Sequence, residues 1–244
     1  MAEKVEKYRW KCLVQPDATT INLILHAMVK VEGVADADRY LRTLLRASAK
    51  QHLIMESSAQ DDAGAASTAP SAPHSRKPMV DIVSVSTVIQ GWANKQEADK
   101  AQWWLDRMCA DNLDEEDETN KALSTLCIQP NTISYTLVIR AWAQNGETGK
   151  AHALLDQQLM SYWECDANDD ERLRPDRILF HTVLDAWSKV TMPNAMQKEA
   201  PLRAKELMHW MEETANKMDE LGRHEAARNV HPNMETFGKL IAIY

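Results

Sequence analysis

The chain has 244 residues, a formal net charge of −8, 44% hydrophobic residues and 26% charged ones. Such a composition is globular, and no apolar run approaches the roughly 18–20 residues that a membrane-spanning helix needs. The four cysteines (Cys12, Cys109, Cys127 and Cys165) include no CxxC pair and no histidine at zinc-finger spacing, so reduced thiols and no metal site are expected.

A net charge of −8 argues against a nucleic-acid binder, but the acidity is local. Residues 111–119 hold six acids and residues 164–171 hold five, neither stretch with a base; setting aside these eleven turns −8 into +3. The opening residues, MAEKVEKY, lack the apolar core of a secretory signal and carry acids that an organellar transit peptide avoids. They point to a cytosolic chain or to a fragment of a longer one.

In chain order, one block recurs: a β-branched run with an embedded polar residue, leading in its full copies to Gly-Trp or Ala-Trp. The first copy starts at Thr20, with Asn22 as its polar residue and Met28 in place of tryptophan. The full copies carry Ser86 before Gly91-Trp92, Thr136 before Ala141-Trp142, and His181 before Ala186-Trp187. A last copy starts at Thr236, with Gly238 in the polar place. Fifteen residues after the first three polar positions stand Ala37, Ala101 and Ala151, each opening a second pattern with apolar residues three and four places on. That spacing marks one face of a helix. Ala204 begins the fourth such pattern 23 residues after His181, a delay assigned to an insertion containing Pro193 and Pro201.

Each unit therefore reads as two helices joined by a short turn: Glu32-Gly33, Lys95-Gln96-Glu97 or Asn145-Gly146-Glu147. Asp17, Asp81, Asn131, Asp176 and Asn233 stand before the first helices, in place to cap free N–H groups. Trp92, Trp142 and Trp187 fall in phase with the packing face and read as core, with small Gly91, Ala141 and Ala186 beside them for close helix approach. Between units lie insertions: a Ser/Ala/Pro-rich linker at about 47–77, expected to be disordered, the two acidic stretches, and residues 216–230. Gly146 to Lys150 lacks the first glycine and the Ser/Thr of a phosphate loop. His224 and His231 fit no single-turn metal-ligand pair, and no catalytic set emerges.

The helical hairpin with Pro130-Asn131-Thr132-Ile133-Ser134-Tyr135 before Thr136, and an alanine fifteen residues beyond it, resembles the pentatricopeptide repeat. Tetratricopeptide repeats are the rival, but their Leu-Gly-x-x-Tyr is missing. The resemblance implies an all-α, right-handed α-solenoid of helix-turn-helix repeats with irregular insertions. Its units would be residues 18–81, 82–131, 132–176 and 177–233, flanked by partial repeats at 2–17 and 234–244 of a longer organellar protein. It further implies sequence-specific binding of single-stranded RNA, in organellar RNA processing, stability, editing or translation, by a monomer in a mitochondrion or plastid. Neither catalytic residues nor a cofactor are implied.

By that resemblance, one base is read by each of the pairs Asn22 with Asp81, Ser86 with Asn131, Thr136 with Asp176, and His181 with Asn233. The first three pairs correspond to U, A and G. Val83, Ile133 and Ile178, three residues before the polar position, would wedge between bases, where Thr19 and Glu235 would not. Lys30 and Lys189 would meet phosphates, while Asn94 and Gln144 hold the equivalent places in the central repeats. Competing readings remain beside each role: the Asp/Asn residues as caps, the polar residues as a solvated helix face, and the wedges as staples of the helix start. The acidic insertions favour the alternative function, a non-enzymatic scaffold that holds a protein partner.

Overall fold

The computed structural model describes residues 16–61, 79–109, 117–164, 171–190 and 195–244, side chains at 55–61 and 195–198 excepted. The partial repeat expected at 2–17 lies almost wholly outside them. Among the described residues every regular element is helical: α1 (Ala18–Val31), α2 (Val34–Asp61), α3 (Ile82–Asn94), α4 (Ala98–Cys109), α5 (Glu118–Thr125) and α6 (Thr132–Gln144). Then come α7 (Thr148–Glu164), a single 3-10 turn at Glu171–Leu173, α8 (Arg177–Ser188), α9 (Ala195–Glu220), α10 (His224–Val230) and α11 (Met234–Ile243).

The five expected caps all cap. Each of Asp17, Asp81, Asn131, Asp176 and Asn233 accepts a backbone N–H three residues on through its side-chain oxygen. At Asp81 and Asn233 the hydroxyls of Ser84 and Thr236 return the bond. Replacing such a cap by alanine removes about 1 kcal/mol. The turns after α1, α3 and α6 each contain a left-handed residue: Gly33, Gln96 and Gly146.

The first helices form a row in which α1 packs on α3, α3 on α6, α6 on α8 and α8 on α11. Each of α2, α4, α7 and α9 packs on its own first helix and on the first helix of the next hairpin. Gly91 makes one of these approaches possible, because a Cβ there would stand 2.9 Å from Val34 and 3.1 Å from Val29.

Trp92, Trp142 and Trp187 are buried, as the pattern predicted. Burying an indole of 150–250 Å² is worth about 4–6 kcal/mol. The sequence reading missed where their N–H groups go. Each donates back to the second helix of the preceding hairpin, at the residue after its signature alanine. Trp92 reaches Asp38 at 3.4 Å, Trp142 reaches Gln102 at 2.6 Å, and Trp187 reaches His152 at 3.4 Å. Lys100 and Lys150 lie over the Trp92 and Trp142 rings of their own hairpins.

Four expectations about the insertions need correction. The linker does not begin at 47: α2 continues to Asp61, because no Pro or Gly interrupts residues 47–61 and Ser48 and Ala49 are buried against neighbours. Residues 62–78 lie outside the described residues. The first acidic stretch ends in a helix, α5, which packs on both α2 and α4. Pro201 does not delay the fourth second helix, since α9 begins at Ala195 and carries Pro201 inside it. Residues 216–230 likewise complete α9 and form α10, which packs on α9.

Candidate functional site

The row α1, α3, α6, α8 and α11 carries the predicted positions in register, and the residues three places before the polar position are the first test. Val83, Ile133 and Ile178 are 52%, 62% and 66% exposed. A residue stapling a helix start would be covered, so that reading fails. Three adjacent first helices thus present an apolar, β-branched side chain at one exposed register. Thr19 and Glu235 are exposed at the same register.

The four polar pairs separate into two kinds. Asn22 is already spent: its Nδ2 donates to Asp81 Oδ1 at 3.2 Å, and Ser84 Oγ donates to its Oδ1 at 2.5 Å. His181 is spent as well. Only 8% exposed, its Nε2 stands 2.8 Å from Thr236 Oγ1 and its Nδ1 3.3 Å from Glu235, while Thr236 Oγ1 donates to Asn233. Burial lowers the His181 pKa; Glu235 opposes the shift and Lys239 adds to it.

Ser86 and Thr136 behave differently. Both are half-buried, and among the described residues neither bonds to the next first helix. Thr136 Oγ1 donates to the Thr132 carbonyl of its own helix. Their partners Asn131 and Asp176 use Oδ1 for the cap, which leaves the Asn131 amide nitrogen and the second Asp176 oxygen for another contact. The difference has a simple cause. Asn22 and His181 are long enough to reach the hydroxyl at the third position of the next first helix, Ser84 or Thr236. Ser86 is shorter and makes no bond to Ser134, and the third position of the helix after Thr136 is Leu179, which offers no hydroxyl.

No protein-family model matches the chain, and no curated protein matches it.

The charges along the row include one that the sequence reading missed. Lys30 and Lys189 are exposed at the ends of α1 and α8. On α6 the cation is Arg140, exposed four residues after Thr136, and its Nη2 donates to Asn94 at 3.3 Å. Residues i and i+4 share a helix face, so counting one turn on from Thr136 locates it. The same count reaches Asp185 on α8, which Lys239 of α11 neutralises at 2.5 Å. Lys239 is itself partly desolvated, yet the bond to Asp185 raises its pKa.

Among the described residues, no group of three or more His, Cys, Asp or Glu is placed to hold a metal ion. His224 and His231 instead share Asp219, at 3.0 and 3.6 Å. None of the described helices is long and apolar enough to cross a membrane. Gly146 lies in the α6–α7 turn, with the Lys150 ammonium on Trp142.

Proposed function

We propose that the hairpins stack as a pentatricopeptide-type α-solenoid whose row of first helices binds single-stranded RNA. The observation that carries the reading is the row of exposed Val83, Ile133 and Ile178 beside the hydroxyl of Ser86 and that of Thr136, whose proton goes to its own helix but whose oxygen can still accept. Unstacked bases take apolar contact on their faces and hydrogen bonds on their edges, and this row offers both at one repeat spacing. Lys30, Arg140 and Lys189 supply cations for the phosphates. With Asn22 and His181 spent inside the protein, the specific register narrows to two pairs, Ser86 with Asn131 and Thr136 with Asp176. By resemblance these favour an A-G step, in a mitochondrial or plastid RNA. The row contributes recognition and no bond-breaking chemistry.

The test is selection from a pool of random single-stranded RNAs at two salt concentrations. An enriched A-G step, weaker retention at the higher salt, and loss of the enrichment in Ser86→Ala/Thr136→Ala are expected. Ile133→Asp should weaken retention of every sequence alike. If the chain retains no RNA at either salt concentration, the reading is wrong.

A further inference from the structure

We infer that the groove between α7 and α9 is a docking site for a basic, amphipathic helix of a partner protein. The argument comes from the chain's own helix α5, which fills the corresponding place one end of the row away. It does not depend on the RNA reading.

Helix α5 packs on α2 and α4 and buries Ala122 and Leu123, with Leu126 just beyond it. Its acidic start is held by two arginines. Arg46 of α2 meets Glu118 at 2.9 Å, and Arg107 of α4 meets Asp117 at 2.5 Å. Burial opposes ionisation of Asp117, but the Thr119 N–H and Arg107 outweigh it and hold its pKa below the ordinary value. Counted from the signature alanines Ala37 and Ala101, Arg46 is nine residues on and Arg107 is six.

The same count from Ala151 and Ala204 lands on Met160 and Trp210. These two residues face each other across a cavity of about 410 Å³ between α7 and α9. Leu159 and Trp163 complete an apolar floor, and Met160 is 55% exposed. Two turns of helix like α5 would therefore find an apolar seat here.

The rim has the opposite charge. Five, nine and thirteen residues after its alanine, α2 carries Arg42, Arg46 and Lys50, whereas α7 carries Asp156, Met160 and Glu164. Glu213 of α9 and the one lysine lining the groove, Lys217, pair at 2.9 Å and cancel, with the Lys217 ammonium 5.1 Å from the Trp163 ring centre, so Asp156 and Glu164 leave the rim net negative. The basic place takes an acidic helix from within the chain, so the acidic place calls for a basic one. Helix α4 ends at Cys109, eight residues past Ala101, and its own groove with α7 lies nearer the helix starts, lined by Trp103, Asp106 and Leu154. Among the described residues α2 and α7 alone therefore reach thirteen residues past the alanine and have a neighbouring second helix at this register.

The probe is a labelled 18-residue synthetic helix with leucines on one face and lysines and arginines on the other, titrated against the whole chain by fluorescence anisotropy. The expected result is binding that weakens at least tenfold in Asp156→Arg/Glu164→Lys. That variant, which copies the charges of α2, should gain the charge-reversed Leu/Glu peptide. Two controls separate a seat from general attraction to an acidic protein: a permuted peptide of the same composition without an apolar face, and the variant Glu212→Lys/Glu220→Lys on exposed parts of α9. Matching circular dichroism melts show that each variant folds. The proposal is overturned if Asp156→Arg/Glu164→Lys leaves the affinity unchanged, if the α9 control weakens it equally, or if the permuted peptide binds as tightly.

Discussion

Replacing Asp38 by alanine should open the joint between the first two hairpins. The carboxylate is 6% exposed and accepts Trp104 Nε1 at 2.7 Å, Trp92 Nε1 at 3.4 Å and Arg42 Nε at 2.8 Å. Alanine leaves two indole N–H groups buried without an acceptor, each costing about 1–3 kcal/mol. The short Trp104 bond belongs at the upper end of that range and the long Trp92 bond at the lower. Arg42 adds little, because its side chain is 36% exposed and its guanidinium still stacks on Trp103 at 4.1 Å. The total is about 3–4 kcal/mol. Asp38→Asn keeps a carbonyl for Trp104 and should cost about 1–2 kcal/mol. Urea unfolding followed by circular dichroism gives both values by linear extrapolation. Because units of a stacked array couple only to their neighbours, amide hydrogen exchange should quicken in α2, α3 and α4 but not in α8 or α11. A loss below 1 kcal/mol for Asp38→Ala, or equal losses for the two variants, would refute the assignment of the indole bonds.

Gly91→Ala gains helix propensity but drives a methyl into Val34 and Val29. Overpacking of about 1–3 kcal/mol outweighs a gain of about 1, so the melting temperature should fall. At the turns, Gln96 holds φ 61° where Gly146 holds 79°. Gln96→Gly should stabilise and Gly146→Ala destabilise, each by about 0.5–1 kcal/mol in urea melts, the latter through Cβ against its own backbone alone because open space surrounds it. Burial lowers the pKa of both His152 and His181, with Glu206 and Glu235 opposing it. The unfolded chain therefore takes up protons that the folded one refuses, and stability stays level above about pH 7.5 and falls as pH drops through 6.5. His152→Gln, which copies Gln102 at the preceding joint, should match the wild type at pH 8 and exceed it at pH 5.5. Equal slopes for the two proteins between those pH values would count against the titration.

The hairpins, their caps and the buried tryptophans were legible because each rests on spacing within about twenty residues. Capping needs only Asp or Asn before an apolar run, and a residue and its neighbours one helical turn away must share a face. What could not be read depends on contacts between distant residues. Asn22 meets Asp81 across 59 positions and His181 meets Thr236 across 55. Nothing in either local pattern distinguishes a polar residue that reaches the next helix from one, like Ser86, that stops short. Arg140 escapes the pattern for a different reason: the cation of α6 sits one turn before the helix end, where α1 and α8 carry Lys30 and Lys189. Helix α5 was hidden by its own acidity, which reads as a solvated loop until Arg46 and Arg107 are brought to it.

The three indole acceptors also give the row unequal stiffness. Its successive joints are closed by a carboxylate, an amide and an imidazole: Asp38 holds two indoles, Gln102 holds one by a short bond, and His152 holds one by a long bond. A load along the row would then not spread evenly. It would concentrate between α7 and α8, the one joint of the three whose acceptor is lost on protonation. Because burial resists that protonation, the joint would loosen only when the pH falls below the ordinary imidazole range, and there before the Asp38 and Gln102 joints.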